Sequence, residues 1–381
     1  MARSKKENRA GKLSAADLRS RLNKKAGLNV AHDLKEDNPT EVKDWIPTGS
    51  RWLDSIICRG QLAGIPVGKV VEIAGLEATG KSFMACQIAA NAQKKGIRAV
   101  YFDSESAMSP EFLEKGGVDL TDFIYVQATS VEQVLESIEE LLGTGEQFLF
   151  IWDSLALTPA ISDVEGDFNP QSSMAVKARI LAKAMSKLTI PIANSNSTLL
   201  ILNQLKTNIT RSPSEALTRP YVTPGGKALI YAYSLRIWLT GRRAKSSRVL
   251  DENGFQIGSE VKVRIEKSRF GTQNRACNFR ILWGAEVGIQ DDESLLDAIK
   301  HTDSIEQSGA WYSLIFADGT KEKFQGRTWT EKLQIPAFRQ RVYDIMDEEI
   351  IYKFDRREGS ASSFYDDDDT AVKTQVEIEI G

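Results

Sequence analysis

Apolar residues fall into two rhythms along this chain, and the change between them marks its organisation. Short, nearly continuous runs at residues 70–74, 99–102, 148–152 and 199–202 have the length of strands covered on both faces. Between them, spacings of three and four predict helices. One covers residues 81–95 and stops at Gly96; another carries the stripe Val131, Leu135, Ile138, Leu141 and Leu142. This alternation, from about residue 46 to about 285, predicts βαβ units and so an α/β fold with an open, mostly parallel twisted sheet. Ahead of it, Ser14 and Asp17 make a capping-box pattern, and Leu18, Leu22 and Ala26 share a face. A short amphipathic helix ending at Gly27 is predicted there. After residue 290 the rhythm changes. Residues 293–301 read as a helix. Residues 311–316 and 321–324 flank the hairpin turn Asp318-Gly319, and 330–353 read as helical with Pro336 interrupting. The chain therefore divides into an arm, helix and linker (1–45), an α/β core (46–290), a small α+β domain (291–355) and a linker with a tail (356–381).

Charge sharpens that division. The 381 residues hold 49 Lys+Arg and 52 Asp+Glu, a net of −3. Residues 1–28 nevertheless carry nine basic groups against Glu7 and Asp17. Residues 366–381 carry six acids against Lys373. A basic arm and an acidic tail on one chain fit nucleic-acid or protein partners, or simply two solvated disordered ends. Three scattered cysteines, Cys58, Cys86 and Cys277, are too few for a disulfide framework or a zinc site. With only His32 and His301, chemistry built on histidine triads or His-rich metal centres is excluded. No run of 18 apolar residues predicts a membrane span, and the N-terminus lacks the apolar stretch of a secretory signal. A reducing compartment is expected.

Candidate chemistry centres on Gly75-Leu76-Glu77-Ala78-Thr79-Gly80-Lys81-Ser82, a complete G-x-x-x-x-G-K-[ST] between a strand and a helix. Its glycines let backbone N–H groups wrap phosphates, and the helix N-terminus adds a positive dipole end. Lys81 is placed to neutralise the β- and γ-phosphates, and Ser82 to ligate Mg²⁺. Two further groups are needed. Asp153, after the apolar run 148–152, suits the metal, and Glu105 suits the attacking water. Gln204, ending a fourth strand, is placed to sense the γ-phosphate. Each alone is an ordinary polar loop residue. Together, at the carboxyl ends of strands of one sheet, they predict a nucleotide hydrolase. Residues 206–227 are too rich in Thr, Ser and Pro for a buried segment, and carry Lys206, Arg211, Arg219 and Lys227. A loop of that length is functional or disordered.

These blocks resemble the RecA recombinase family. Ile46-Pro47-Thr48-Gly49-Ser50, Val67-Gly68-Lys69-Val70-Val71-Glu72-Ile73-Ala74-Gly75, Tyr101-Phe102-Asp103-Ser104-Glu105, Trp152-Asp153-Ser154-Leu155-Ala156, Leu202-Asn203-Gln204, Gly225-Gly226-Lys227-Ala228-Leu229 and Gly309-Ala310-Trp311-Tyr312-Ser313 occur in the family's order over about residues 46–315. The block Glu266-Lys267-Ser268-Arg269 resembles phage relatives of the UvsX type. The resemblance implies a RecA-like P-loop NTPase core that uses ATP and Mg²⁺. It implies Glu105 as the water-activating residue and Gln204 as the switch to the second DNA loop, with Phe112 and Trp283 against the adenine. It implies a first DNA loop at residues 163–171 followed by Met174 and Arg179. The second loop would hold Lys206, Ile209 as an apolar wedge, and Arg211, closing at Gly225, Gly226 and Lys227. Lys267 and Arg269 match a pair that acts on a neighbour's nucleotide; arginine stands where the family has a second lysine, so charge is kept and donor geometry changes. Ser106 occupies a histidine-like position.

The implied partners are single-stranded DNA, homologous duplex DNA, further copies in a helical filament, and single-strand-binding and mediator proteins, in the cytoplasm of a phage-infected bacterial cell. Two alternatives share these motifs: a RecA-like ATP-binding assembly or regulatory factor without strand exchange, and a hexameric helicase core.

Overall fold

The structure, a computed structural model, describes residues 13–27, 30–36, 38–165, 173–209, 220–241, 247–283 and 287–353. The chain divides into two compact units, residues 1–43 and 44–381. In the first, the helix Ala15–Ala26 carries the expected capping box. Ser14 Oγ accepts from the Asp17 N–H at 3.1 Å, and the Asp17 carboxylate accepts from the Ser14 N–H at 3.3 Å. Gly27 closes the helix in the left-handed region. Arg19 pairs with Asp33 at 2.6 Å across the turn that follows.

The second unit is organised by a ten-stranded sheet. Its order runs Val287–Gln290, Ala276–Trp283, Gln256–Ser268, Leu235–Gly241, Val70–Gly75, Thr198–Gln204, Phe148–Asp153, Arg98–Asp103, Phe123–Gln127, with Arg248–Leu250 paired to Gln256–Ser268. From Leu235–Gly241 to Phe123–Gln127 all neighbours are parallel. All of these but the edge strand Phe123–Gln127 are buried over most of their length because helices cover both faces, which is why the inner ones read as continuous apolar runs. The remaining strands form an antiparallel meander. Gln256–Ser268 alternates buried and open positions there, as a half-covered antiparallel strand does. The helices Val131–Gly143 and Ser173–Asn194 close one face over Val100, Phe102, Phe150, Trp152, Leu199 and Ile201.

Register decides what meets at the sheet's edge. Gly75 lies opposite Gln204, Ala74 opposite Asn203, and Asp103 opposite Asp153. All the strand-end residues singled out above therefore emerge on one side. Beyond the sheet, Ile305–Ser308, Trp311–Ile315 and Lys321–Gln325 form an antiparallel three-stranded sheet with the hairpin turn at Asp318-Gly319. Pro336 does not kink one long helix. It opens a second one, Pro336–Met346, at a first-turn position where a missing N–H costs nothing. Phe324, Trp329 and Phe338 pack with ring centroids 5.5–5.7 Å apart. Arg51 ties this region to the core, donating to Asp347 at 2.9 Å and lying 4.2 Å over the Tyr343 ring. Among the described residues no helix is long and apolar enough to cross a membrane.

Candidate functional site

A cleft of about 930 Å³ opens where the parallel strands end. Gly75, Leu76, Glu77, Ala78, Thr79, Gly80, Lys81 and Ser82 form its floor, and Glu105, Phe112, Asp153, Gln204 and Trp283 line its walls. The floor loop is held by its own chemistry. Thr79 Oγ1 donates to the Leu76 carbonyl at 2.8 Å. Gly80 has φ +80°, and a Cβ there would lie 2.3 Å from Ile281 Cδ1, so any other residue would be strained and would have to push that side chain aside. The helix Lys81–Lys94 then starts with no side-chain cap, leaving its first N–H groups for a ligand at the loop. The Lys81 ammonium lies within the loop and donates to the carbonyls of Leu76 (2.9 Å) and Gly75 (3.3 Å). Burial pulls its pKa below the usual lysine value, while Asp153, Glu105 and Glu77 act in the opposite direction.

Opposite Lys81 stand carboxylates in fixed orientations. Asp153 accepts from Ser82 Oγ and from the Tyr101 hydroxyl, each at 2.6 Å on Oδ2. Burial raises its pKa, and those two hydrogen bonds oppose the rise. Glu105 accepts from Ser154 Oγ at 2.9 Å. The loop that carries it is shaped by buried Asp103. One oxygen of Asp103 accepts from the Glu105 N–H (2.8 Å); the other accepts from Ala107 N–H (3.0 Å), Met108 N–H (3.1 Å) and the Tyr125 hydroxyl (2.9 Å). Sequence reasoning missed Tyr101, Asp103 and Ser154 as members of the site. The signal for two of them was adjacency: Asp103 directly follows the apolar run 99–102, and Ser154 directly follows Asp153. The donor set of the Ser82 hydroxyl and the Asp153 carboxylate fits a magnesium ion, which takes one or two protein oxygens and completes its shell with phosphates and water. Among the described residues no group of three or more His, Cys, Asp or Glu could hold a metal without such help.

Gln204 is positioned by a buried network that sequence reasoning also missed. The Asn203 amide donates to Glu72 Oε1 and to the Pro224 carbonyl, each at 3.0 Å. Arg236 donates to Glu72 Oε2 at 2.6 Å and to Thr223 Oγ1 at 2.9 Å. The Glu72 and Arg236 side chains are only 0% and 6% exposed. Their signal was a charge inside an apolar strand run, at Val71-Glu72-Ile73 and Leu235-Arg236-Ile237, which requires a buried partner.

Of the expected DNA residues, Met174 and Arg179 fall on the helix Ser173–Asn194. Lys206 is exposed on a short strand, Lys206–Thr207, that pairs with Tyr221–Val222, so the two ends of the expected second loop form a ladder. Ile209 is 97% exposed. Gly225 and Gly226 both have positive φ and turn the returning chain into the helix Gly226–Ala232, on which Lys227 is exposed. Arg211 and Arg219, residues 166–171 of the first loop, residues 1–12 and the acidic tail lie outside the described residues. Lys267 and Arg269 do not line the cleft of their own chain. They sit on the carbonyl end of Gly226–Ala232. Lys267 donates to Ile230 (2.6 Å) and Tyr231 (3.3 Å), and Arg269 donates to Tyr231 (2.7 Å). Burial, then the neighbouring Arg269 and Arg236, bring Lys267 down to about 8.

Comparison with known proteins gives one consistent result. The family model for the RecA N-terminal domain matches residues 14–289. A Protein RecA from Methylococcus capsulatus is 33% identical over 307 residues, covering 81% of this chain and 84% of its own. Protein RecA from Aquifex pyrophilus is 32% identical over 327 residues, covering 86% and 88%, and that from Bifidobacterium breve is 32% identical over 277 residues, covering 73% and 67%.

Proposed function

The chain belongs to the RecA family, and from that premise we propose that it is an ATP-dependent strand-exchange protein. It assembles as a helical filament on single-stranded DNA, pairs that strand with homologous duplex DNA, and hydrolyses ATP to release it. The observation that carries this reading is the convergence of Lys81, Ser82, Glu105, Asp153 and Gln204 on one cleft, with Asn203 beside Gln204 bonded to Pro224 where the second loop returns.

ATP lies on the floor loop with its phosphates against the backbone N–H groups and Lys81, and its adenine between Phe112 and Trp283. Ser82 and Asp153 would hold magnesium, which supplies charge neutralisation of the phosphates. Glu105, oriented by Ser154, aligns a water and takes its proton. The new P–O bond forms at the γ-phosphorus as the bond to the β-phosphate oxygen breaks, giving ADP and phosphate. Gln204 reports the γ-phosphate to the second loop. Lys267 and Arg269 leave the helix Gly226–Ala232 to meet a neighbouring subunit's nucleotide. Lys206, Arg179, Arg211 and Lys227 grip DNA phosphates, and Ile209 and Met174 open the base stack, with Gly225-Gly226 giving the backbone its close approach. We also propose that residues 46–290 act as the ATPase and DNA-binding core, with 291–355 as a separate small domain. The phage-type kinship rests on Glu266-Lys267-Ser268-Arg269, and single-strand-binding and mediator proteins are its expected partners.

Electron microscopy with single-stranded DNA and a non-hydrolysable ATP analogue tests the reading. Helical filaments are expected. Closed rings would instead indicate the helicase, and isolated particles the regulatory factor.

A further inference from the structure

Lys177 is a side chain that neither the motifs nor the proposed chemistry has used. Its half-buried ammonium donates to three main-chain carbonyls of one turn: Leu155 and Thr158, each at 2.6 Å, and Ala156 at 3.5 Å. That turn begins at Ser154, whose hydroxyl donates to Glu105. It is internally braced. The Ser154 carbonyl accepts from Leu157 N–H and Thr158 N–H, each at 3.2 Å, and from Thr158 Oγ1 at 3.0 Å. Trp152 Nε1 donates to Thr158 Oγ1 at 2.8 Å. Ser154 is also tied to Ser104, whose hydroxyl accepts from the Ser154 N–H at 2.9 Å and lies 3.1 Å from its carbonyl, so the turn and Ser154 form one hydrogen-bonded unit.

The other end of the same side chain belongs to the DNA surface. Lys177 lies on the helix Ser173–Asn194 between Met174 and Arg179. Its neighbour Ala178 lies 3.5 Å from where a Cβ of Gly226 would stand, and Leu155 lies 3.3 Å from the corresponding point at Gly225. The helix after the first loop, the return of the second loop and the turn after the strand Phe148–Asp153 thus meet beside this lysine, at Ala178 and Leu155. It faces two charges: Asp163, which favours the protonated form, and Lys206, which opposes it.

We propose that Lys177 is a positioning residue: it carries DNA occupancy of the helix Ser173–Asn194 to Glu105, through the turn at 154–158 and the Ser154 hydroxyl. DNA pressed against this helix fixes Lys177, Lys177 fixes the turn, and Ser154 then keeps the Glu105 carboxylate aligned on the water. A misplacement of such a group by about 1 Å costs on the order of 100-fold in rate, so a modest slackening is enough to separate stimulated from basal turnover. The inference rests on the ATPase reading above. That reading is tested separately by whether the wild-type chain hydrolyses ATP faster with single-stranded DNA.

The experiment compares the full-length wild type with K177M, which keeps the stem and removes the donors, and K177R, which keeps charge and donors. ATP turnover is measured with and without single-stranded DNA, together with KM for ATP and thermal stability. K177M is expected to lose about 10- to 100-fold of the DNA-stimulated kcat, with basal kcat, KM and melting temperature close to wild type, and K177R is expected to recover most of the loss. If K177M does not fold, K177Q, with two N–H donors and no charge, takes its place in the same comparison. Stimulated turnover equal to wild type in K177M overturns the proposal. So does a parallel fall of basal and stimulated rates, which marks a purely structural tie. If the wild type itself shows no DNA stimulation, the ATPase reading fails first and the proposal with it.

Discussion

Two connections run from the proposed DNA surface to the nucleotide cleft, and they are made of different materials. The one beneath the second loop is an ion pair, Glu72–Arg236, almost wholly removed from water, with Asn203, Thr223 and Pro224 completing its hydrogen bonds. The Arg236 guanidinium also lies 5.7 Å from the ring centroids of Tyr233 and Trp238. The one beneath the first loop is a single half-buried ammonium, Lys177, on the carbonyls of an irregular turn. Removing one partner of a buried pair strands a charge in the core, so the first connection cannot be loosened without threatening the fold. The second can be opened to solvent and re-formed. We read the first as the fixed frame that keeps Gln204 in register with the second loop, and the second as the adjustable contact.

The largest effect is expected where the fixed frame ends. Lys267 and Arg269 rest on the helix Gly226–Ala232, which follows the residues Thr223 and Pro224 that the frame holds. Changing either to Ala should lower DNA-stimulated hydrolysis by about 10³-fold or more, as losses of trans-acting cations do, while nucleotide binding by the free subunit persists. Mixing Lys267→Ala with Lys81→Ala chains on DNA should restore part of the activity that each lacks alone. No restoration at any ratio would mean that each chain completes its own site.

Next comes the frame itself. Arg236→Met should destabilise the fold by about 3–5 kcal/mol, read from the urea midpoint, and pairing it with Glu72→Met should recover much of that loss. An unchanged midpoint in Arg236→Met would remove the distinction between the two connections.

A smaller effect concerns the DNA surface. Arg179→Ala, Lys206→Ala and Lys227→Ala should each reduce the slope of log affinity for single-stranded DNA against log salt by about 0.7. Ile209→Ala should leave the slope alone and impair pairing. Identical slopes throughout would place the DNA path elsewhere.

The smallest effect distinguishes the adjustable contact by pH. Burial brings Lys177 down to about 8, so raising the pH through that value removes its charge and one of its donors. DNA-stimulated turnover should fall over that range in the wild type and less in K177R. Lys267 titrates near the same value, so the informative quantity is the ratio of the two proteins, which should rise with pH. A flat ratio would show that the charge on Lys177 does not matter.

How much of this was legible in the sequence follows from what each signal depends on. Four of the six parallel strands and the floor loop were legible because both are local: apolar runs of strand length, and a phosphate loop whose glycines are fixed by backbone geometry. The other two, Phe123–Gln127 and Leu235–Gly241, were not predicted. The antiparallel meander was less legible, since the alternation along Gln256–Ser268 marks a half-covered strand and not its partners. Asp103 and Ser154 showed only through adjacency, and Tyr101 not at all, because their roles depend on pairings such as Asp103 against Asp153, which join residues 50 positions apart. Glu72 and Arg236 did announce a buried pair, each being a charge in an apolar strand, but only the sheet order shows that they belong to each other. Lys177 gave no signal at all: a lysine on an amphipathic helix reads as a solvated face until the turn beneath it is seen.

Glu105→Gln tests the central claim, that this cleft hydrolyses ATP through a carboxylate held by Ser154, most directly. The change keeps shape and hydrogen bonding and removes the base. Nucleotide binding and filament assembly on single-stranded DNA should persist, while DNA-dependent turnover falls by about 10²–10⁴-fold and filaments cease to cycle. Turnover equal to that of the wild type would contradict the assignment of Glu105, and with it the account of the cleft.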